Sequence, residues 1–237
     1  MSYPNSLQNA VVLVTGANGG LGEQFVRLSL ERGASKVYAS ARSPKAWADP
    51  RVVPLVLDVT DPASVAAAAA ASPDTTIVIN NAGMTRRGEM ATAARDDIRA
   101  IFETNFFGAV EVAQVYAPIL KANGGGALLN VLSVMSWLGG GNAYSASKAA
   151  LWAASNALRL NLDGQGTLVS SLYLGYTDTP MTAGIDAPKN DPADIVNLAL
   201  DGLEAGEYEI LADQLSVQVK AMLSGTIEAM YPELQAG

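Results

Sequence analysis

One tyrosine and one lysine stand a helical turn apart in the stretch Asn-Ala-Tyr-Ser-Ala-Ser-Lys-Ala-Ala, residues 142–150. On a helix, side chains four residues apart share a face, so Tyr144 and Lys148 would be neighbours. A free tyrosine has a pKa of about 10 and is a poor base at neutral pH, but a nearby ammonium favours its phenolate. The stretch is therefore a candidate proton donor beside its activator. Alone, such a pair is more commonly an amphipathic tyrosine and a solvated lysine.

The residue types that the chain lacks narrow this chemistry further. It has no cysteine and no histidine, so we expect no thiol nucleophile, no histidine triad and no metal site. A net charge of −8 argues against a nucleic-acid partner, which needs a concentrated basic surface. The N-terminus does not resemble a signal peptide, and no apolar run approaches the roughly 20 residues of a membrane helix. We therefore expect a cytoplasmic protein with no membrane partner.

Short apolar runs alternate with helix-like stretches along the chain. The strand-like runs are 10–14, 36–40, 52–57, 76–79, 127–134, 168–174 and 208–212. The helical stretches are 22–32, 61–71, 95–121, 144–162, 192–204 and 215–231. Almost wholly apolar strands separated by helices predict a parallel sheet that is covered on both faces. We expect one α/β domain over 1–237, with a doubly wound parallel sheet of about seven strands and helices on both faces.

A glycine-rich segment, Thr15-Gly16-Ala17-Asn18-Gly19-Gly20-Leu21-Gly22, joins the first strand to the first helix. Glycine permits a tight turn and a close approach to a pyrophosphate, and the following helix N-terminus offers free N–H groups to it. A glycine-rich loop alone is a weak signal. Its place at the start of an alternating strand-helix pattern predicts a dinucleotide site.

The end of the second strand indicates which dinucleotide is bound. The strand ends Tyr-Ala-Ser-Ala-Arg-Ser at residues 38–43, without the carboxylate that would bind the ribose 2'-hydroxyl of NAD. Ser40 leaves room, and Arg42 can pair with a 2'-phosphate through charge-assisted hydrogen bonds. The pattern favours NADP(H). The alternative is that Arg42 only caps a surface loop, and use of NAD(H) stays open.

Taken in order, the motifs resemble those of the single-domain members of the short-chain dehydrogenase/reductase family. They are Thr15 to Gly22, Asp58-Val59, Asn80-Asn81-Ala82-Gly83, Asn105, Ser133, Tyr144-x-x-x-Lys148 and Gly175-x-x-x-Thr179. The resemblance covers nearly the whole chain and implies a Rossmann-type fold. It also implies NADP(H)-dependent reduction of a ketone or aldehyde, or oxidation of a secondary alcohol. Reduction of a C=N bond and a non-catalytic, NADP-binding regulatory or scaffold role are the alternatives.

The resemblance implies a catalytic role for four residues. Tyr144 would be the general acid/base, and Ser133 would hold the carbonyl oxygen. Ser136 is a second candidate for that serine. Lys148 would activate Tyr144 and bind the nicotinamide ribose, and Asn105 would hold a water that resupplies protons.

The resemblance also implies the residues that bind the cofactor. They are Gly16, Asn18, Gly19, Gly20, Leu21, Gly22, Ser40, Arg42, Asp58, Val59, Asn81, Ala82, Gly83, Tyr144, Lys148, Gly175, Thr177 and Thr179. Gly19 stands where many NADP-dependent members carry a basic residue. The preference for NADP(H) therefore depends mainly on Arg42.

The chain departs from the family pattern in two segments that bear on the substrate and on assembly. The segment 180–191, where the family carries its substrate lid, is short, which predicts an open pocket for a bulky substrate. The apolar residues expected to face the substrate are Met84, Met135, Trp137, Leu138, Tyr176 and Met181. Several of these are equally compatible with core positions. The C-terminal ending is also altered, and we expect a homodimer through the helices of Asn105 and Tyr144, or a homotetramer.

Overall fold

Seven parallel strands form one sheet in the order β3-β2-β1-β4-β5-β6-β7. The computed structural model describes residues 3–86, 88–140 and 142–235. The strands are β1 (Val11–Thr15), β2 (Lys36–Ala41), β3 (Val52–Val56), β4 (Ile77–Asn80), β5 (Gly126–Val131), β6 (Thr167–Tyr173) and β7 (Glu209–Leu211). The chain moves outward from β1 to β3 and then returns to β4 on the other side of β1. The predicted doubly wound parallel sheet is confirmed, with its switch point between β1 and β4.

Helices cover both faces of this sheet. They are α1 (Gly20–Glu31), α2 (Pro62–Ala71), α3 (Arg95–Phe102), α4 (Gly108–Ala122), α5 (Ala143–Leu162), α6 (Pro192–Ala205), α7 (Gln214–Met222) and α8 (Ile227–Met230). Successive strand residues point to opposite faces. Val12 and Val14 accordingly belong to the core under α1 and α6, whereas Leu13 belongs to the core under α2 and α4. This double burial explains why the central strands contain almost only apolar residues.

Two predicted helices differ from the observed ones. The helix predicted over 95–121 contains a π-helical segment at Glu103–Phe107, between α3 and α4. The tail predicted as one helix over 215–231 is wrong as such, because α7 ends at Met222 and α8 begins at Ile227. Thr226 starts the second helix by accepting a hydrogen bond from the Ala229 N–H (3.3 Å). The apolar periodicity of the sequence does not distinguish one amphipathic helix from two successive helices.

Two of the four glycines in the segment between β1 and α1 have opposite environments. Gly22 is buried where α1 meets the loop, and a Cβ added there would lie 2.2 Å from the Gly16 carbonyl oxygen. Gly19 has an extended backbone (φ −176°), and a Cβ added there would meet nothing within 4 Å. Of these two positions, Gly22 therefore requires glycine for packing and Gly19 does not.

We predict that Gly22→Ala lowers the free energy of unfolding by about 1–3 kcal/mol, because the loop carbonyl must move to admit the methyl group. Gly19→Ala is the matched control and should stay within about 0.5 kcal/mol of the wild type. Urea unfolding of the three proteins measures the difference. Equal stability of the two variants would contradict the close packing of α1 against the loop.

Candidate active site

Two adjoining cavities lie at the carboxyl ends of the central strands. The first, the central cavity, has a volume of about 730 Å³ and lies between the glycine segment, the segments after β4, β5 and β6, and the start of α5. The second, the outer cavity, has a volume of about 930 Å³ and lies over the ends of β2 and β3. Both are bordered by Gly16, Ala82 and Gly83. Together they form a continuous two-part depression over the switch point of the sheet, where ligands of such folds bind.

Tyr144 and Lys148 line the central cavity from the first turns of α5. Asn142 caps this helix, and its side-chain oxygen accepts a hydrogen bond from the Tyr144 N–H (2.8 Å). The Lys148 side chain is buried, and its Nζ donates to the Val131 carbonyl oxygen at 2.7 Å. Nζ lies 5.7 Å from the centre of the Tyr144 ring. The structure thus brings together the pair that the sequence spacing predicted.

Ser133 reaches the same cavity from the end of β5. The strand stops at Val131 rather than at residue 134, because the chain turns into a short 3₁₀ helix, Val134–Ser136, that Ser133 caps. The Ser133 Oγ accepts from the Met135 N–H and donates to the Leu174 carbonyl oxygen, each at 3.2 Å. Ser136, the alternative candidate, is buried and is not part of the cavity wall. Ser133 is therefore the serine beside Tyr144.

Burial governs the ionisation of this pair in the protein alone. Burial raises the pKa of Tyr144 to about 12, and hydrogen bonding to Ser133 offsets only part of that increase. Burial also lowers the pKa of Lys148 to about 8. In the protein alone the net shift is opposite to the one expected from Lys148, because burial, which disfavours the charged phenolate, is the largest influence on the pKa of Tyr144. Tyr144 is consequently protonated at neutral pH.

Asn105 lies in the π-helical segment and is completely buried. Its Oδ1 accepts from the Met84 N–H (2.8 Å), and its Nδ2 donates to the Met84 carbonyl oxygen (2.9 Å). Nδ2 also donates to the Ser147 Oγ (3.0 Å). A Cβ added at Gly83 would lie 3.5 Å from Asn105 Oδ1 and 3.8 Å from Lys148 Nζ. The amide therefore holds the segment after β4 against α5, beside Lys148.

The glycine segment forms the opposite wall of the central cavity. Gly16 has a left-handed backbone (φ +67°), and a Cβ there would lie 3.0 Å from the Ala82 Cα. Glycine is thus required for the close approach of this segment to the segment after β4. Asn18 joins the segment to the loop after β2, since its amide donates to the Ser43 carbonyl oxygen (2.8 Å) and accepts from the Lys45 N–H (3.1 Å).

Comparison with known proteins agrees with this arrangement. The profile of the family described as short chain dehydrogenase matches residues 10–190. A solved short chain dehydrogenase from Burkholderia cenocepacia J2315, in complex with NADP, is 35% identical to this chain with a TM-score of 0.90. The similarity covers 97% of this chain and 99% of that one. The chain belongs to the short-chain dehydrogenase/reductase family.

Two relatives identified by sequence support the same membership. The 1-deoxy-11-beta-hydroxypentalenate dehydrogenase of Streptomyces avermitilis is 35% identical over 201 residues, 78% of this chain and 74% of the relative. Oxidoreductase UcpA of Escherichia coli K12 is 30% identical over 240 residues, 95% of this chain and 90% of the relative. The protein is thus an oxidoreductase of the short-chain type. Within the residues that the structure describes, no helix is long and apolar enough to cross a membrane.

Most residues that this short-chain dehydrogenase was predicted to use for its cofactor border the two cavities. Those at the central cavity are Gly16, Gly19, Gly20, Leu21, Asn81, Ala82, Gly83, Tyr144, Lys148, Gly175, Thr177 and Thr179. Those at the outer cavity, besides the shared ones, are Asn18, Arg42, Asp58 and Val59. The open space at Gly19 and the free N–H groups of the first turn of α1 suit a pyrophosphate. The depression as a whole fits a dinucleotide.

Two predicted cofactor residues have other positions. Ser40 is completely buried, and its hydroxyl donates to the Val14 carbonyl oxygen at 2.9 Å, between β1 and β2. Its prediction as a ligand residue is corrected, because the side chain points between strands and not into the outer cavity. Gly22 borders neither cavity and packs against the Gly16 carbonyl, so it supports the glycine segment rather than facing the cofactor. Ala41 and Ser43 border the outer cavity beside Arg42 instead.

Asp58 lies at the outer cavity, at the end of β3. Its Oδ1 accepts hydrogen bonds from the Thr60 N–H (3.0 Å) and the Thr60 hydroxyl (2.8 Å). These hydrogen bonds, with a smaller contribution from the positive charge of Arg42, lower the pKa of Asp58. The carboxylate is thus fixed in place and ionised at neutral pH.

The predicted substrate residues divide into three groups. Met135, Leu138, Tyr176 and Met181 border the central cavity as expected. Met84 borders the outer cavity instead. Trp137 is wrong as a pocket residue, because it is buried and stacks on Tyr173 with ring centres 4.1 Å apart. Sequence reasoning also missed Ile185 and Leu215, which border the central cavity from the short lid and from α7.

Proposed function

We propose that this protein is an NADP(H)-dependent carbonyl reductase that also catalyses the reverse oxidation of a secondary alcohol. The observation that carries the proposal is the position of a protonated Tyr144 beside Ser133 and Lys148 at one cavity wall, opposite a glycine segment suited to a pyrophosphate. A tyrosine that stays protonated at neutral pH is an acid ready to donate. That state suits the reducing direction.

A bound nicotinamide dinucleotide would supply the hydride for this reaction. The chain's own residues do the remaining work. Tyr144 Oη gives its proton to the substrate oxygen, so a C=O group becomes CH–OH. The Ser133 hydroxyl turns from the Leu174 carbonyl oxygen, donates a hydrogen bond to the same substrate oxygen and stabilises the charge that develops there. Tyr144 is then reprotonated from solvent, and we propose that Lys148 and a water held near Asn105 carry that proton.

The lining of the central cavity suits an apolar or aromatic ketone. Met135, Leu138, Met181, Ile185 and Leu215 present aliphatic and thioether groups to it. Tyr176 adds a half-exposed aromatic ring. The Streptomyces relative is named as a dehydrogenase of a hydroxylated carboxylate, which fits an alcohol/ketone couple, so the preference for uncharged substrates rests on the apolar lining alone. We therefore propose bulky, uncharged ketones rather than small anionic keto acids as substrates.

Arg42 supports NADP(H) over NAD(H). It borders the outer cavity, and the end of β2 carries no carboxylate that would repel a 2'-phosphate. The solved relative from Burkholderia holds NADP. A guanidinium at this position would pair with the 2'-phosphate through two parallel hydrogen bonds.

We predict that Tyr144→Phe lowers the turnover number with NADPH and a panel of aromatic and aliphatic ketones by about 10²- to 10⁴-fold, because the variant has no proton donor. NADPH binding, measured by fluorescence, should be unchanged. Tyr208→Phe, which removes a phenol hydroxyl that borders neither cavity, is the matched control and should keep its turnover. If Tyr144→Phe turned over ketones as fast as the wild type, the proposed mechanism would be wrong. Tight NADPH binding with no turnover by the wild type would favour a non-catalytic role.

We predict that Arg42→Ala raises the dissociation constant of NADPH by about 10- to 100-fold, the effect expected for a lost charge-assisted hydrogen bond. The dissociation constant of NADH should stay the same, since it has no 2'-phosphate. Arg27→Ala removes a charge from α1, where Arg27 pairs with Glu31 at 2.6 Å, and serves as the control. Isothermal titration of both cofactors measures the effect. Equal losses for NADPH and NADH would rule out a specific phosphate contact.

A further inference from the structure

Residues 137–140, here called loop 137–140, follow the 3₁₀ helix Val134–Ser136 on the way to α5 and form part of the central cavity. Leu138 and Gly140 border the cavity directly. The loop therefore lies between the catalytic serine and the catalytic tyrosine in the chain. Its position affects the space that is left for a substrate.

The C-terminal part of the chain holds this loop from outside the cavity. The Gly139 N–H donates a hydrogen bond to the Tyr231 hydroxyl at 2.6 Å, across 92 residues of sequence. The approach is close, since a Cβ added at Gly139 would lie 3.2 Å from the same oxygen. Gly139 thus accommodates the phenol, and Tyr231 satisfies a backbone donor of the loop.

A second contact secures α7 beside the loop. Trp137, the first loop residue, lies between the ring of Tyr173 on one side and Lys220 of α7, whose Nζ is 5.0 Å from the indole centre. Lys220 is itself held by Glu209 of β7 at 2.8 Å. Trp137, which was predicted to face the substrate, instead attaches the loop to the C-terminal segment, residues 213–231.

A third contact joins the start of α7 to the opposite wall of the cavity. Asp213 caps α7 by accepting from the Ser216 N–H (2.7 Å). Its other oxygen accepts from the Gly175 N–H (2.5 Å) and from the Asn190 side chain (2.8 Å). Leu215, two residues after Asp213, borders the central cavity. The C-terminal segment therefore contacts both sides of the substrate end of the cavity.

We infer that Tyr231 is a positioning residue that holds loop 137–140 in place and thereby determines how well bulky ketones bind. The substrate part of this inference rests on the proposed function. Tyr231 acts through its hydrogen bond to Gly139, the chain neighbour of the cavity residue Leu138. The short lid at 180–191 leaves this end of the cavity to be completed by the C-terminal segment.

The test compares Tyr231→Phe with the wild type and with Tyr208→Phe. The control also removes a phenol hydroxyl that is hydrogen-bonded, to Tyr3 at 3.1 Å, but Tyr208 does not border the cavity. The first readout is hydrogen exchange of the backbone at 138–140, followed by mass spectrometry without cofactor or substrate. Exchange at Gly139 should accelerate in Tyr231→Phe alone. Unchanged exchange would overturn the inference.

The second readout is steady-state kinetics with NADPH and two ketones, one large enough to reach Leu138 and one small. Tyr231→Phe should raise KM for the large ketone by about 2- to 10-fold, as expected for one lost hydrogen bond. The KM for the small ketone, the turnover number and the NADPH affinity should stay at wild-type values. Equal changes for both ketones would overturn the specificity role. If the wild type turned over no ketone, the proposed function would fail, and the exchange result would still decide whether Tyr231 holds the loop.

Discussion

The burial of the Lys148 amine is the constraint on which the rest of the site depends. The buried amine belongs to a residue that lines the central cavity, and it donates a hydrogen bond to the Val131 backbone carbonyl. Such an environment disfavours charge, so the pKa of the lysine falls to about 8 and that of Tyr144 rises to about 12. Burial thereby keeps Tyr144 as the neutral phenol at neutral pH. A positive charge placed beside it would move the phenol towards its ionised form, which the oxidative direction requires.

Other elements of the fold position the residues around Lys148 at this side of the central cavity. The early end of β5 turns Ser133 towards the tyrosine, and the cap at Asn142 places Tyr144 in the first turn of α5. The π-helical segment turns Asn105 inward, where its amide holds the Met84 backbone. The glycine segment forms the opposite wall of the central cavity, where the Gly16 backbone approaches the Ala82 backbone closely. Each contact comes from a different part of the chain, so the site exists only in the folded sheet.

Much of this was predictable from the sequence, for identifiable physical reasons. Parallel strands buried on both faces require short, almost wholly apolar runs, so the order and type of the strands could be predicted. The pair Tyr144 and Lys148 lies within one helical turn, and local spacing is sufficient to place it. The same is true of the glycine segment, whose position between strand and helix determines its role.

The failed predictions concern side chains whose direction depends on distant partners. Trp137 follows Ser133 by four residues, and its packing against Tyr173 and Lys220 holds it in the core. Ser40 is polar and lies on the right strand, but the pleat turns it inward. The break between α7 and α8 and the approach of Tyr231 to Gly139 likewise depend on tertiary contacts. No local pattern contains that information.

The measurement that tests this account most directly is a pH titration of the lysine side chains by ¹³C NMR in the protein without cofactor. Comparison with Lys148→Met assigns the signal of the buried amine. The account predicts that this lysine titrates near pH 8, well below the value of about 10.4 for a solvated lysine. A Lys148 signal that titrates like a solvated lysine would show that burial does not govern the pair, and would contradict the account.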